Sequence, residues 1–285
     1  MSVSTLVVHT GAIGDFILAC PSIRALAQDS PVDVLGEFDR VHLAVAGGIA
    51  RAAFDLTAAR FESLFSEPKP ELRAFLSHYD RVVVWMKDDG LIRRNLTEIG
   101  VCDVRVHSGL PPDDWGEYAA RYYLDALGLS GDATPRLDLP ASPGRHDVIL
   151  HPGSGSGRKN WPMARYRALA DLLRANGRDV WWCAGPAEEE GGLAESLPCD
   201  RIILGRSLVE LGGILRSARA YVGNDSGITH LAVAVGCPTV AIFGPTNPRV
   251  WGPRGANVCI VQGNVWPEPG DIFNAIPSQP ARQKT

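Results

Sequence analysis

The sequence lacks the features that mark a membrane-embedded, disulfide-stabilised or nucleic-acid-binding protein. Its apolar runs all fall short of the about 18 residues that a membrane-spanning helix needs, and its N-terminus has no basic segment of the signal-peptide kind. Six cysteines are present without a Cys-x-x-Cys pair, which favours reduced thiols over a zinc site or a disulfide framework. The net charge of −4 predicts no nucleic-acid partner. We therefore expect a cytoplasmic protein.

The length and composition allow two domains. The chain has 285 residues, of which 45% are hydrophobic, enough for two cores of ordinary size. Residues 131–145 are rich in Pro, Gly, Ser and Ala without periodicity, as interdomain linkers are. We predict an N-terminal domain over 1–140 and a C-terminal domain over 146–265. The tail, 266–285, has four prolines and few apolar residues, so it either crosses back to the first domain or is disordered.

Short apolar runs alternate with segments of helical composition along both halves. The predicted strands cover residues 5–9, 32–35, 79–85, 101–106, 148–150, 179–184, 202–204, 220–223 and 239–243. We also predict a helix over 41–53 and a short strand over 61–65. The alternation predicts an α/β protein with two doubly wound parallel sheets.

The stretch 146–162, HDVILHPGSGSGRKNWP, has an arrangement that commonly binds phosphate. A strand leads into a loop with three glycines and two serines, then into the basic pair Arg158 and Lys159, and then into a helix. Glycine N–H groups, serine hydroxyls and the positive end of a helix all attract anions. This is not a Walker loop, which has Gly directly before the Lys and Ser or Thr directly after it. The alternative is an ordinary surface loop with a solvated basic pair.

The chain opens with another strand, glycine turn and helix, as Rossmann-like units do. Gly11 and Gly14 do not complete the dinucleotide fingerprint Gly-x-Gly-x-x-Gly. Asp15 stands at the start of the helix and has two interpretations. It caps the helix N-terminus, or it presents a carboxylate to a ligand at the carboxyl end of the first strand.

Three motifs resemble those of one enzyme family. GAIGDFILACPSIRAL lies near the N-terminus and HPGSGSGRKNWP in the middle. Residues 223–252 contain NDSG, a helix of small residues with a His, then FGPT and a Trp. In this order the motifs resemble the signatures of glycosyltransferase family 9, the ADP-heptose:lipopolysaccharide heptosyltransferases. The resemblance reaches both ends of the chain and implies a GT-B architecture, in which two Rossmann-like domains face a cleft.

The resemblance also implies the reaction. It is an inverting transfer, without metal or cofactor, of a sugar from a nucleotide diphosphate sugar to a lipopolysaccharide-core or related glycan acceptor; the family name suggests heptose and ADP-heptose. Such a transfer needs a base for the acceptor hydroxyl and a cation for the leaving diphosphate. By resemblance, Asp15 is the base and Lys159 is the cation. A lipid-borne acceptor implies at most a peripheral association with the inner face of the inner membrane.

The candidates for donor binding lie on three segments of the second half: Ser154, Gly155, Ser156, Glu188, Asp225, Ser226, Gly227 and His230. Hydroxyl and N–H groups are expected to bind phosphate oxygens, and Glu188, with Glu189 beside it, to bind ribose. An ionised Asp225 is not a phosphate ligand, so it fixes the loop, binds a sugar hydroxyl or orients a cation. His230 either reaches the donor or packs as a buried ring.

The candidates for acceptor binding, Gly14 and Lys87, are in the first half, which is short for this family. Lys87 begins the charge cluster Lys-Asp-Asp-Gly, for which a solvated turn is the alternative. Two other functions stay open. A Rossmann-type oxidoreductase is disfavoured by the incomplete fingerprint, and a non-catalytic nucleotide-sugar-binding protein is disfavoured by the presence of both Asp15 and Lys159.

Overall fold

The computed structural model describes residues 4–185, 188–189, 191–197, 201–263 and 266–277. Contacts divide the chain into two compact units, residues 1–139 (unit 1) and 140–285 (unit 2). Each unit is an α/β domain built on one parallel sheet, which confirms the predicted α/β class and the two parallel sheets. Among the described residues, no helix combines the length and the apolar character needed to cross a bilayer.

Unit 1 contains a five-stranded parallel sheet in the order β3-β2-β1-β4-β5. Its strands are β1 (Thr5–His9), β2 (Val32–Gly36), β3 (Ala52–Asp55), β4 (Arg81–Trp85) and β5 (Asp103–His107). Its helices are α1 (Ile13–Asp29), α2 (Phe38–Ala46), α3 (Pro70–Leu76), α4 (Leu91–Ile99) and α5 (Ala119–Asp125), and a 3₁₀ helix covers Ala59–Phe65. The central strands β1, β2 and β4 are almost wholly buried, as expected for a parallel sheet covered on both faces.

Two local predictions for unit 1 are wrong. Residues 61–65 belong to the 3₁₀ helix rather than to a strand, because apolar side chains three positions apart both enter the core. The helix predicted over 41–53 ends at Ala46, and the segment Ala52–Asp55 pairs with β2 as a strand. Gly48, with a φ of +71°, adopts a conformation that favours glycine, so the chain can turn away from the helix there.

Unit 2 contains a six-stranded parallel sheet in the order β11-β10-β9-β6-β7-β8. Its strands are β6 (Val148–His151), β7 (Val180–Cys183), β8 (Ile202–Ile203), β9 (Ala220–Asn224), β10 (Thr239–Phe243) and β11 (Val258–Gln262). The helices with described bounds are α6 (Met163–Ala175), α7 (Leu208–Ser217), α8 (Gly227–Ala234), α9 (Pro248–Trp251) and α10 (Pro269–Ala275), with 3₁₀ turns at Gly157–Lys159 and Ala194–Ser196.

The described part of the C-terminal tail belongs to unit 2. Helix α10 packs against α6, and its Ile272, together with Ile276, lies in the hydrophobic core of this unit. The Trp161 indole N–H also donates to the Pro267 carbonyl at 3.0 Å. Residues 266–277 therefore pack on unit 2; residues 278–285 lie outside the described residues, so the prediction for the tail as a whole stays a prediction.

Each sheet reverses its strand order at one point. In unit 1 the reversal lies between the neighbours β1 and β4, and in unit 2 it lies between β6 and β9. Connections on the two sides of such a point leave toward opposite faces, so a crevice opens at the carboxyl ends of the two strands, where open α/β sheets bind ligands. Most of the predicted site residues follow one of these four strands.

Candidate functional site

Two loops meet at the strand-order reversal of unit 2. The first, residues 152–161, follows β6, and the second, Asp225 and Ser226, follows β9. The two strands are paired, with His151 opposite Gly223. The predicted phosphate loop and the NDSG motif are far apart in sequence, yet this pairing brings them side by side.

The Asn224 side chain holds the two loops together. It is fully buried; its Oδ1 accepts hydrogen bonds from the Trp161 N–H at 2.9 Å and the Tyr166 hydroxyl at 3.1 Å. Its Nδ2 donates to the Pro152 carbonyl at 2.8 Å. Both ends of the first loop are therefore anchored to the last residue of β9. Asn224 is the first residue of the NDSG motif, and no role was predicted for it from the sequence.

The loop of residues 152–161 is folded on itself by Ser154. The Ser154 hydroxyl lies 2.6 Å from Asn160 Oδ1 and 2.7 Å from the Ser156 carbonyl, and it accepts the Ser156 N–H at 3.2 Å. Gly155, Ser156 and Arg158 are exposed at the outer side of the loop. The structure thus gives Ser154 a loop-building role, in which its hydroxyl accepts the Ser156 N–H, and it exposes Gly155 where an anion can reach the backbone N–H group.

Lys159 and Asp225 form an ion pair across the two loops. Lys159 Nζ lies 2.9 Å from Asp225 Oδ2, and the Asp225 side chain is 6% exposed whereas that of Lys159 is 34% exposed. A buried carboxylate needs a cationic partner, and this one fixes the direction of the ammonium. An ammonium has three N–H donors, so Lys159 can still contact an anion while it is paired. Of the three roles open for Asp225, orienting a cation is the one that the contacts support.

Helix α8 begins directly after this ion pair. Ser226 is its N-cap, and its hydroxyl accepts the Thr229 N–H at 3.3 Å. Gly227 is the first helical residue, so the backbone N–H groups of the helix start lie beside Asp225.

His230, one turn further, is 5% exposed. Burial lowers the pKa of His230 to about 4; Asp225 opposes this shift and Lys159 adds to it. His230 is therefore a neutral ring at neutral pH.

Glu188 lies beside Gly153 in the loop of residues 152–161. Its Oε2 accepts the Gly185 N–H at 2.8 Å, and its Oε1 lies 3.7 Å from His151 Nε2. A Cβ on Gly153 would lie 1.9 Å from Glu188 Oε1, so a larger residue at position 153 would displace the Glu188 side chain. Burial by itself raises the pKa of Glu188, but His151 and backbone N–H groups outweigh it and keep the pKa below its usual value. Glu189 is exposed, and Glu190 lies outside the described residues.

The polar contacts of His151 continue from Glu188 into the core of unit 2. His151 Nδ1 lies 3.1 Å from the Tyr221 hydroxyl, which lies 3.1 Å from Thr229 Oγ1. This buried chain connects the carboxylate predicted to bind ribose with the first turn of α8. Over the described parts of both units, His, Cys, Asp and Glu side chains form no group of three or more suited to hold a metal ion.

In unit 1, Asp15 is the third residue of α1, and Gly14 is the second. Asp15 Oδ2 accepts the Ala12 N–H at 3.1 Å, so this carboxylate does cap the helix N-terminus, as one of the two predicted interpretations states. It is partly exposed at the carboxyl end of β1, where the other interpretation needs it. The contacts are compatible with both roles.

Lys87 follows β4, on the other side of the strand-order reversal in unit 1. It is exposed and lines an open pocket of about 510 Å³ with Arg93, His107 and Ser108. Asp88 Oδ1 and Oδ2 accept the N–H groups of Ile92 and Arg93 at 3.0 and 3.2 Å. Part of the Lys-Asp-Asp-Gly cluster is therefore a helix cap, whereas Lys87 itself borders a pocket.

Comparison with known proteins identifies the family. The sequence model of glycosyltransferase family 9 (heptosyltransferase) matches residues 117–271, which is more than half of the chain. Lipopolysaccharide heptosyltransferase 1 of Pseudomonas aeruginosa is 36% identical over 118 residues, 40% of this chain and 33% of that protein. The enzyme of the same name from Escherichia coli K12 is 29% identical over 150 residues, 51% of this chain and 43% of that protein. The chain thus spans about a third to a half of the curated relatives it matches.

Solved structures show the same fold over nearly the whole chain. E. coli ADP-heptose lipopolysaccharide heptosyltransferase II superposes with a TM-score of 0.75 at 19% identity, covering 96% of this chain and 97% of that one. An E. coli heptosyltransferase solved with ADP gives a TM-score of 0.66 at 22% identity, covering 91% and 93%. The GT-B fold class predicted from the sequence is confirmed by these structures and by the two parallel sheets. The chain belongs to glycosyltransferase family 9.

Proposed function

We propose that this protein is an inverting heptosyltransferase that transfers heptose from ADP-heptose to a lipopolysaccharide-core or related glycan acceptor. The observation that carries the proposal is the Lys159–Asp225 ion pair, 2.9 Å long, beside the start of α8 at the strand-order reversal of unit 2. It combines an oriented cation with helix N–H groups, which is what a diphosphate needs. The matched family and the ADP in a solved relative support adenine as the base of the nucleotide.

The proposed reaction is a single displacement. An acceptor hydroxyl attacks the anomeric carbon of the donor sugar, and the bond to the diphosphate oxygen breaks through a transition state of oxocarbenium character. Asp15 takes the proton of the hydroxyl. Lys159 and the N–H groups of the glycine loop and of α8 stabilise the negative charge that develops on the leaving diphosphate. Neutral His230 contributes a hydrogen bond rather than a charge.

We assign the remaining candidate residues of unit 2 to the donor and those of unit 1 to the acceptor. Ser156, Gly155, Ser226 and Gly227 contact the diphosphate, and Glu188 contacts the ribose or supports the residue that does. Gly14 and Lys87 contact the acceptor in unit 1. We propose that the reaction needs neither a metal ion nor a cofactor, and that a lipid-borne acceptor is reached peripherally from the cytoplasmic face of the inner membrane.

Calorimetric titration with ADP, UDP and GDP, each with and without Mg²⁺, tests the donor site. We expect ADP to bind most tightly and Mg²⁺ to have no effect on its affinity. Preference for UDP or GDP would leave a glycosyltransferase with a different donor. Absence of binding to all three would contradict the proposal. Turnover is then measured as ADP released from ADP-heptose in the presence of an acceptor.

Substitution of Lys159 tests the diphosphate contact. Because a charge-assisted hydrogen bond contributes about 1.5–3 kcal/mol, Lys159→Ala should weaken ADP binding about 10- to 150-fold. The exposed neighbour Arg158 gives a matched control, and Arg158→Ala should change the affinity less than about threefold. Lys159→Ala also leaves Asp225 buried without its cation, so the double variant Lys159→Ala/Asp225→Asn is needed. If the double variant regains ADP affinity, repulsion by Asp225 caused the loss and the proposed contact is wrong.

A further inference from the structure

Gly11 lies in the turn after β1, and both its N–H and its carbonyl form hydrogen bonds with side chains. The Gly11 N–H donates to His9 Nδ1 at 3.2 Å, and the Gly11 carbonyl accepts a hydrogen bond from the Arg40 guanidinium at 2.9 Å. Arg40 is itself paired with Glu37 at 3.0 Å. His9 is 3% exposed, so the ring that accepts the Gly11 N–H is fixed by its packing.

The same turn holds the Asp15 carboxylate. The Ala12 N–H, next along the chain from Gly11, donates to Asp15 Oδ2 at 3.1 Å. A Cβ built on Gly11 would lie 2.8 Å from His9 Cε1 and 3.3 Å from Asp15 Oδ2, so the ring and the carboxylate border Gly11 on the same side. The His9 ring also packs edge-on against Phe16, with ring centres 5.3 Å apart. His9 therefore supports both the turn and the start of α1.

The protonation state of His9 agrees with this contact. Burial lowers the pKa of His9 to about 3, and the nearby Arg40 charge adds to the shift. The ring is therefore neutral at neutral pH. Only a neutral imidazole has a lone pair that accepts a hydrogen bond, so Nδ1 is the acceptor and Nε2 carries the proton.

We propose that His9 is a positioning residue for Asp15: with Arg40, it fixes the Gly11–Ala12 turn so that the Ala12 N–H holds the carboxylate in one orientation. This inference rests on the proposed role of Asp15 as the base. A base must lie within hydrogen-bond reach of the proton it removes, and a displacement of about 1 Å can lower a rate about 100-fold. The chemical step depends on this turn, whereas donor binding in unit 2 does not.

The pair His9→Asn and His9→Leu tests the inference. The two side chains have nearly the same shape, and both remove the ring, but only Asn provides an acceptor near the position of Nδ1. We expect kcat of His9→Leu to be at least about tenfold below that of His9→Asn. The donor KM should agree within about twofold in the two variants, and their melting temperatures should lie close together. Equal kcat values would overturn the inference.

Two further variants keep the outcome unambiguous. Arg40→Met releases the Gly11 carbonyl from a partly exposed position, so it tests the turn even if the His9 variants fail to fold; kcat should fall about threefold or more with the donor KM unchanged. An unchanged kcat in Arg40→Met would count against the inference. Asp15→Ala separates the two proposals. If it stays active, the assigned base is wrong and the inference fails with it, but if it is inactive while the His9 pair is equally active, only the positioning role is wrong.

Discussion

At its strand-order reversal, each unit has a strand that leads through a glycine-containing turn into a helix. The contacts that hold the turn in place differ between the two units. In unit 2 a neighbouring strand supplies the support, because Asn224 at the end of β9 binds both ends of the loop that follows β6. In unit 1 the turn after β1 is held by the last residue of the same strand, His9, and by Arg40 from α2. We propose that the first arrangement supports a broad anion site, whereas the second orients a single carboxylate.

The two units also differ in how much of each is matched by the family model. Residues 117–271 cover the candidate donor site of unit 2 and only the end of unit 1. The pocket beside Lys87 and the turn that holds Asp15 lie before the matched region. We infer that donor recognition is what this chain shares most closely with its relatives.

Removal of the Asp15 carboxylate should produce the largest effect and separates chemistry from donor binding. Because a positioned base accelerates proton transfer about 10²- to 10⁴-fold, Asp15→Ala should lower kcat by that factor. Its affinity for ADP should stay within about twofold of the original value, since the donor site belongs to unit 2. Steady-state ADP release and calorimetry measure the two quantities.

The matched control for this experiment is Asp29→Ala, which removes an exposed carboxylate from the other end of α1. It should leave both quantities unchanged. If Asp15→Ala turns over at the original rate, Asp15 only caps the helix. The proposal that unit 1 supplies the base and unit 2 binds the donor would then be wrong.

Substitution of Asn224 should produce the second largest effect, and it should be confined to unit 2. Asn224→Ala leaves the buried Trp161 N–H and the Pro152 carbonyl without their partner, at about 1–3 kcal/mol for each group. We expect loss of hydrogen-exchange protection over residues 148–162 together with weaker ADP binding. Exposed Asn176, which donates to one backbone carbonyl at 2.9 Å, provides the control Asn176→Ala. Equal loss of protection in β1 and α1 would show that the two sites are not supported independently.

Local patterns predicted much of the fold and of the candidate site, because a buried strand, a glycine loop and a helix start each leave a signal within a few residues. The strands around the two reversals, the loop at 152–161 and the helix after Ser226 were all found in this way. The strand β3 was missed, because its half-buried residues have no distinctive pattern and its pairing with β2 depends on the tertiary fold.

The roles of Asn224 and His9 needed the structure for a different reason. Both are the last residues of strands, where sequence periodicity indicates burial but not which loop the side chain reaches. Their contacts depend on which strands are neighbours and on the exact direction of a turn. The Lys159–Asp225 pair has the same origin, since two loops from distant parts of the chain meet only after the sheet has formed.

The smallest expected effect is a change in stability with pH. It depends on the buried His9 in unit 1 and the buried His230 in unit 2. Burial lowers the pKa of His9 to about 3 and of His230 to about 4, from 6.5. Between pH 6.5 and 4 the unfolded chain therefore binds protons that the folded chain does not, so stability falls as the pH falls through this window. Each histidine contributes a slope of about 1.4 kcal/mol per pH unit.

The His9→Asn variant isolates the contribution of unit 1. Urea unfolding between pH 6 and 4.5 should show that the unfolding free energy of the variant changes with pH by about 1.4 kcal/mol per pH unit less than that of the unsubstituted protein. His78→Asn, which removes an exposed ring, is the matched control. An undiminished slope in His9→Asn would mean that His9 is charged in the folded protein; its Nδ1 would then be a donor and unable to hold the Gly11 N–H.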